Sequence, residues 1–362
     1  MLKVWELFGG IGAPRKALEN IGIDFETTEY IEIDKTATLA YNKIYNENFE
    51  PQDITTWDYM DKENPDLIIH GSPCQDFSVA GKNDLTKGRS ILYLKSIEII
   101  KNKKPKYVVW ENVKGLINNK NKIHFDYYLD CLKDDYNHYY KVLIATDFGI
   151  PQKRERIFTI SIRKDIDTNT FNLDNLEKKP IQALKEFLEN NVDIKYYIKQ
   201  QSMIKAIEQG KIKVINNEID TNISDIANTI TTKQFRWNNG GVIKIPFSTF
   251  NQENYVHITT NDNVKVPTIT ATGANSRIKI ALPVVKHFFQ DIPIFIINDK
   301  QYVIRVLTPR ECWRLMGFTD NDYNKVSPLL KEAQLYKLAG NSIVVQVLES
   351  IFKSLLNQIG EK

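Results

Sequence analysis

Cysteine is scarce in this chain. Cys74, Cys131 and Cys312 are its only three, and they lie far apart. Neither a disulfide framework nor a paired CxxC metal motif can be built from them, so a reducing compartment is expected. Long apolar runs are missing too: none approaches the ~18 to 20 residues that span a bilayer. The opening Met1-Leu2-Lys3-Val4-Trp5-Glu6 lacks the basic and then apolar layout of a secretory signal. Strong charge of either sign is also absent. A net charge of +3 does not by itself identify a polyanion partner. The charge is spread unevenly, however. Residues 176–300 carry 16 Lys and Arg against 12 Asp and Glu. What remains is 362 residues with 42% hydrophobic content, enough for one large core and a second, smaller unit. A soluble, cytoplasmic protein is expected.

The first 160 residues alternate strand and helix. Lys3–Leu7 reads as a strand, Phe8-Gly9-Gly10-Ile11-Gly12 as a glycine turn, and Ala13–Ile21 as a helix with Pro14 in its first turn and Gly22 as its stop. Glycines at such a turn let the backbone approach a ligand closely. The spacing is GGxG and not GxGxxG, so no phosphate cradle is implied. A phosphate-free adenosine ligand and a plain tight turn both fit. Phe25–Ile33 reads as a second strand. It ends at Glu32 and Ile33, where such folds hold ribose hydroxyls and a purine face; a lone Glu there also suits a solvated strand end. Asp53 either accepts from an adenine amino group or caps a turn.

Leu67-Ile68-Ile69 reads as a buried strand that runs into Gly71-Ser72-Pro73-Cys74-Gln75-Asp76-Phe77-Ser78. A cysteine after a strand, in a proline- and glycine-bearing loop, is a candidate nucleophile. The polar stretch from Ser78 to Ser90 suits a lid or an ordinary surface loop. Ile91–Ile100 reads as a helix. Tyr107–Trp110 reads as a strand that delivers Glu111 to its carboxyl end, the edge where open α/β sheets bind ligands. Arg154 and Arg156 lie two apart before the strand Arg156–Ile162, so an extended chain turns both to one side. They need anionic or carbonyl partners, or a salt bridge with an acid such as Glu155.

From about Asp165 the alternation stops. Ile181–Leu188 reads as a helical piece, followed by short β-like runs broken by Asn and Gly. Ala227-Asn228-Thr229-Ile230-Thr231-Thr232 and Val266-Pro267-Thr268-Ile269-Thr270-Ala271 resemble each other. Regular structure returns at Tyr302–Leu307, then at a helix opened by Thr308-Pro309 and stopped by Gly317. Cys312 inside that helix is expected in the core. A long amphipathic helix follows from Val344 to Leu355. Three segments are expected: 1–175 as a catalytic and cofactor-binding domain, 176–300 as a smaller irregular domain, and 301–362 as a return to the first.

Taken together and in order, these elements resemble the cytosine-C5 DNA methyltransferases, bacterial or phage type. The resemblance rests on Glu6–Gly12, Gly71–Ser78, Glu111-Asn112-Val113, Gln152-Lys153-Arg154-Glu155-Arg156, Arg305–Glu311 and Gly340-Asn341-Ser342-Ile343. Two positions depart from the family's habit. The family often has Ala where this chain has Gly9, and often Phe or Pro where it has Ser72.

The resemblance implies a doubly wound, Rossmann-like α/β sheet with a target-recognition domain at 176–300. It implies methyl transfer from S-adenosylmethionine, leaving S-adenosylhomocysteine, to C5 of a flipped-out cytosine in duplex DNA. Cys74 would be the nucleophile at C6, Glu111 the acid at N3, and Arg156, supported by Arg154, the holder of O2. Phe8, Gly10, Ile11, Gly12, Glu32, Ile33, Asp53, Ile54, Pro73, Leu92, Asn341 and Ile343 would contact the cofactor. Ser78, Lys82, Arg89, Lys233, Arg236, Thr268, Thr270 and Arg277 would contact DNA. No metal is required. The resemblance fits a nucleoid-associated monomer, with or without a separately acting restriction endonuclease. An RNA cytosine-C5 methyltransferase and a non-catalytic DNA-binding homologue stand as alternatives.

Overall fold

The computed structural model describes residues 1–72, 90–119, 121–199, 204, 214–215, 227–230, 232, 242–246, 287–289, 292–297 and 300–356. The chain divides into two compact units. One comprises Met1–Leu188, Ile226–Gln234 and Pro309–Lys362; the other comprises Glu189–Asp225 and Phe235–Thr308. The first unit thus takes in 226–234, inside the stretch expected to form the smaller domain.

In the first unit, β1 (Leu2–Leu7), β2 (Phe25–Ile31), β3 (Leu67–His70), β4 (Tyr107–Val113), β5 (Tyr136–Ile144) and β7 (Glu155–Arg163) form one sheet. Its order is β2-β1-β3-β4-β7-β5. The β1–β2, β1–β3 and β3–β4 pairs are parallel, whereas β7 runs antiparallel to both β4 and β5. Val4, Trp5, Glu6 and Leu7 of β1 and every residue of β3 are buried. Strands apolar on both sides are what a sheet covered by helices on both faces requires. This is the expected doubly wound α/β architecture, with one strand reversed.

The helices α1 (Ala13–Asn20), α2 (Lys35–Tyr45), α3 (Ser90–Lys103) and α4 (Lys122–Leu132) connect the strands. Ile97 and Ile100 of α3 and Phe125, Tyr128 and Leu132 of α4 share a core with Trp5, Ile68, Val108 and Trp110 of the sheet. Each such side chain contributes about 1.5–3 kcal/mol on burial. The α2 helix starts where sequence chemistry dictates: Asp34 accepts from the Thr36 N–H at 2.9 Å and caps it. After the second unit come α5 (Pro309–Arg314), α6 (Asp320–Val326), α7 (Glu332–Asn341) and α8 (Val345–Leu356). α8 packs on α1, which returns the C-terminal segment to the first unit. Cys312 is buried, as its helical position predicts. Between Pro180 and Asn190 the expected helix shortens to one 3-10 turn, Leu184–Phe187, flanked by extended residues.

A short pairing completes the unit. β6 (Gln152–Lys153) runs parallel to β9 (Ala227–Asn228), and the Ala227 N–H donates to Pro151 O at 2.7 Å.

The second unit contains β8 (Val214–Ile215), β10 (Val242–Pro246), β11 (His287–Phe289), β12 (Ile292–Ile297) and β13 (Lys300–Val306), ordered β11-β12-β13-β10-β8. All pairs are antiparallel except β8–β10. Val303 of β13 and Tyr197 are buried against each other, with Val192 and Ile194 packed around them.

Candidate active site

The carboxyl ends of β1, β2, β3 and β4 lie on one edge of the first unit's sheet, so each delivers its next residue to the same place. After β1 comes the glycine turn, in which Phe8, Gly10 and Gly12 all adopt left-handed φ, at 56°, 55° and 76°. After β2 comes Glu32. Its Oε2 accepts from the Gly10 N–H at 3.2 Å and its Oε1 from the Asp34 N–H at 2.8 Å. Burial raises the Glu32 carboxyl above its ordinary value, and these N–H donors oppose the rise. Asp34 also pairs with Lys337 at 2.6 Å, which ties α2 to α7.

β3 ends at His70. The ring is fully buried, bonded to Tyr128 Oη at 3.0 Å and stacked on Trp110, and burial drives its pKa down to about 3. His70 is therefore neutral and serves packing. Ser72 is held twice by β4: Trp110 Nε1 donates to its Oγ and Asn112 Nδ2 to its carbonyl, both at 3.1 Å. In the sequence Trp110 reads as a plain strand residue and Asn112 only as part of the Glu111-Asn112-Val113 motif, so neither brace of Ser72 was singled out.

Glu111 follows on β4. Because β7 is reversed, it begins at this edge, and Val113 of β4 sits opposite Arg156 in the ladder. Arg156 Nε lies 3.0 Å from Glu111 Oε1, the two side chains being 19% and 13% exposed. Burial raises the Glu111 carboxyl above its ordinary value, while the charges of Arg156 and then Arg154 pull the other way. Glu111 is thus under two opposed influences, burial that favours its neutral form and an adjacent cation that favours its charge.

Arg154 is placed differently. It is buried, and its guanidinium donates to Ile230 O at 2.9 Å, Gly340 O at 3.1 Å and Ser342 O at 2.6 Å. Burial, then the nearby Arg156, lower its pKa to about 9, so it stays charged near neutral pH. Gln152 works beside it: Nε2 donates to Leu315 O at 2.9 Å and Oε1 accepts from the Ile230 N–H at 3.0 Å. The two residues hold the 227–230 segment and the end of α7 against the sheet.

One cavity of about 710 Å³ gathers these groups. Phe8, Gly10, Ile11, Glu32, Ile33, Asp53, Ile54, Leu92 and Asn341 line it together with Glu111, Arg154 and Arg156. Ile33 is 66% exposed there, an apolar face offered to a ligand. Asp53 faces the cavity and also caps a turn, since its Oδ1 accepts from Thr55 N–H at 2.9 Å and Thr55 Oγ1 at 2.8 Å. Gly12 does not line the cavity; it caps α1. Ile343 borders a smaller cavity of about 60 Å³ behind the turn, with Glu6, His70 and Glu111. Thr229, Ile230 and Thr232 line the large cavity as well. They fall in the first of the two similar Thr-Ile-Thr passages, and that repetition was the sequence signal for them. Pro73, Cys74, Ser78, Lys82, Arg89, Lys233, Arg236, Thr268, Thr270 and Arg277 lie outside the described residues.

The donor set suits a nucleoside carrying no phosphate. Glu32 offers a carboxylate to a diol, Ile33, Phe8 and Leu92 offer apolar surface to a flat ring, and Asp53 offers an acceptor to an amino group. The cavity adds a second region of different chemistry, where a half-buried carboxyl faces a guanidinium.

A family model described as C-5 cytosine-specific DNA methylase matches residues 2–357. The chain is 32% identical to an orphan methyltransferase, M.SPRI, of Bacillus phage SPR, over 98% of each chain. It is 30% identical to the type II methyltransferase M.HhaI of Haemophilus parahaemolyticus, over 97% of this chain and 93% of that one. Among solved structures, a mutant DNMT2 of Spodoptera frugiperda superposes with a TM-score of 0.72 at 21% identity, over 98% of this chain and all of the other, and so shares the fold.

Proposed function

The chain belongs to the C-5 cytosine-specific DNA methylase family and is a DNA cytosine-C5 methyltransferase, and we propose that it acts through a covalent bond between Cys74 and C6 of a cytosine turned out of duplex DNA. C5 of cytosine is too poor a nucleophile to be methylated directly. Attack of the Cys74 thiolate on C6 forms an S–C6 bond and pushes an electron pair toward C5. Glu111, in its protonated form, donates to N3 as charge builds on the ring. Arg156 offers N–H donors to O2 and neutralises the same charge.

S-adenosylmethionine, when bound, supplies the electrophilic methyl group. Glu32 would hold its ribose hydroxyls, Ile33 its purine face and Asp53 its amino group, with Phe8, Gly10 and Asn341 around them. Water or another base then takes the C5 proton, the freed electron pair forms the C5–C6 double bond as the S–C6 bond breaks, Cys74 recovers its electron pair, and N3 returns its proton to Glu111. The base must leave the stack to reach this cavity, at a cost of a few kcal/mol.

The observation that carries this reading is the 3.0 Å Glu111–Arg156 pair facing the same cavity as Glu32 and the glycine turn. Acid, cation and cofactor groups share one space, as direct transfer requires. The second unit, Glu189–Asp225 with Phe235–Thr308, would read the target sequence. The names of the type II relatives support a place in a restriction–modification system.

Duplex DNA with 5-fluorocytosine in place of cytosine tests the mechanism, since fluorine at C5 blocks release. With S-adenosylmethionine, the protein is expected to form a denaturation-resistant adduct that Cys74→Ser does not form. Methyl transfer to ordinary DNA without any adduct on the fluorinated duplex would refute the covalent route. Labelling of tRNA but not DNA would overturn the substrate.

A further inference from the structure

The glycine turn is shaped from beneath by one aromatic ring. Tyr30 is the penultimate residue of β2 and is buried. Its hydroxyl donates to Gly10 O at 2.7 Å. Glu32, two residues on and so on the same side of the extended chain, accepts from the N–H of that same Gly10. Both faces of the Gly10 residue are thus held by β2, one by Tyr30 and one by Glu32.

The ring also decides what can stand at position 9. A Cβ built on Gly9 would lie 2.6 and 2.7 Å from two carbons of the Tyr30 ring. Gly9, unlike Gly10 and Gly12, has no left-handed φ, so its backbone would admit an alanine. The ring is the main obstacle, with Glu6 Cβ at 3.3 Å a lesser one. Nor can the ring retreat freely: Tyr41 lies against it at 4.0 Å between centroids and Phe49 at 5.4 Å. The turn it braces needs bracing, because Phe8 adopts a left-handed φ that non-glycine residues seldom take.

We propose that Gly9 and Tyr30 are a matched pair that sets the cofactor turn, with Tyr30 a positioning residue for S-adenosylmethionine. The proposal rests on the reading that this turn holds the cofactor. Tyr30 makes no contact with the reacting atoms. It acts through Gly10 and through the placement of Glu32 relative to it.

The test uses the full chain and five proteins: wild type, Tyr30→Phe, Tyr30→Ala, Gly9→Ala and Gly9→Ala/Tyr30→Ala. S-adenosylhomocysteine binding is measured by calorimetry, and methyl transfer to duplex DNA gives kcat and KM. Tyr30→Phe keeps the ring and loses the hydroxyl that donates to Gly10 O and also meets the Thr38 side chain. It is expected to weaken S-adenosylhomocysteine binding and raise the S-adenosylmethionine KM by about 2- to 12-fold, with kcat nearly unchanged. Gly9→Ala is expected to do more, because the ring must move. Adding Gly9→Ala to Tyr30→Ala is expected to cost much less than Gly9→Ala costs in wild type, since the ring clash is gone and only the 3.3 Å approach to Glu6 Cβ remains. An unchanged affinity in Tyr30→Phe, or additive effects in the double variant, would overturn the pairing. A parallel fall in kcat and folded fraction, with affinity intact, would make Tyr30 merely structural. Wild type that fails to bind S-adenosylhomocysteine would instead overturn the cofactor reading itself.

Discussion

Replacing Glu6 by Gln removes a charge that the fold cannot solvate. Glu6 is fully buried in β1, below the glycine turn. Its Oε1 accepts from Tyr41 Oη at 2.7 Å and Thr27 Oγ1 at 3.2 Å, while its Oε2 has no hydrogen-bond partner among the described residues. Burial raises its pKa from 4.5 to about 7, against the opposing pull of Tyr41, Arg15 and Thr27. A carboxyl raised in the folded state favours folding most when it is neutral. Its contribution is fully present below the unfolded pKa and is lost as the pH climbs through about 7. A rise from 4.5 to about 7 corresponds to about 3 kcal/mol of lost stability on the alkaline side.

Glutamine has the shape of the neutral acid and cannot ionise. Its amide N–H₂ lacks an acceptor just as Oε2 lacks a donor, and that cost is the same at every pH. Glu6→Gln is therefore expected to gain about 3 kcal/mol relative to wild type at about pH 8, and less than about 1 kcal/mol at about pH 5. Urea unfolding at the two pH values, followed by tryptophan fluorescence with Trp5 as a neighbouring reporter, measures the difference, provided that the slopes agree. A gap between the two proteins that does not change with pH would refute the argument. So would wild type that gains on the variant as pH rises.

Cys74→Ser is expected to abolish methyl transfer and leave DNA binding intact in a gel-shift assay; loss of both would make Cys74 structural. Glu111→Gln is expected to cut the transfer rate by about 10²- to 10⁴-fold with little change in DNA affinity. In wild type the protonated Glu111 persists to higher pH than an ordinary carboxyl, and its contribution fades as pH rises through that raised pKa. The alkaline limb of the single-turnover rate should therefore be missing from Glu111→Gln. Arg154→Ala strips the donors from three carbonyls, of Ile230, Gly340 and Ser342, and is expected to cost about 3 kcal/mol or more in chemical denaturation. A near-neutral Arg154→Ala would mean that water replaces the guanidinium.

The parts of the site that were legible in the sequence are those set by local rules. Glycines 10 and 12 announce a turn because their left-handed φ is a local demand. Glu32 and Glu111 were found because strand ends are readable and the ligand edge of such a sheet is fixed by topology. What stayed hidden depends on long-range partners. Arg154 reads as one of an arginine pair, yet its acceptors lie 76, 186 and 188 residues away. Nothing local to Gln152–Arg156 reveals that one arginine faces Glu111 while the other is occupied by backbone. Gly9 likewise looks like a minor departure from the family until the Tyr30 ring is seen behind it. Ile181–Leu188 misled because helical spacing of apolar residues is only a necessary condition. The four residues that do coil, Leu184–Phe187, bury Leu184 and Phe187 and need no further turn to do so.

The chain's two crossings into the second unit carry a consequence for how such proteins diversify. Residues 226–234 return to the first unit between them, where Gln152 and Arg154 grip Ile230. If the second unit reads the target, as proposed above, a new reading specificity would be not one cassette but two, 189–225 and 235–308, stitched on either side of a strip that stays with its host. Recombination that exchanges the whole middle in one piece imports a foreign strip beneath a resident clasp. On the same reading, exchange that spares the strip would keep the chemistry and change only the text being read.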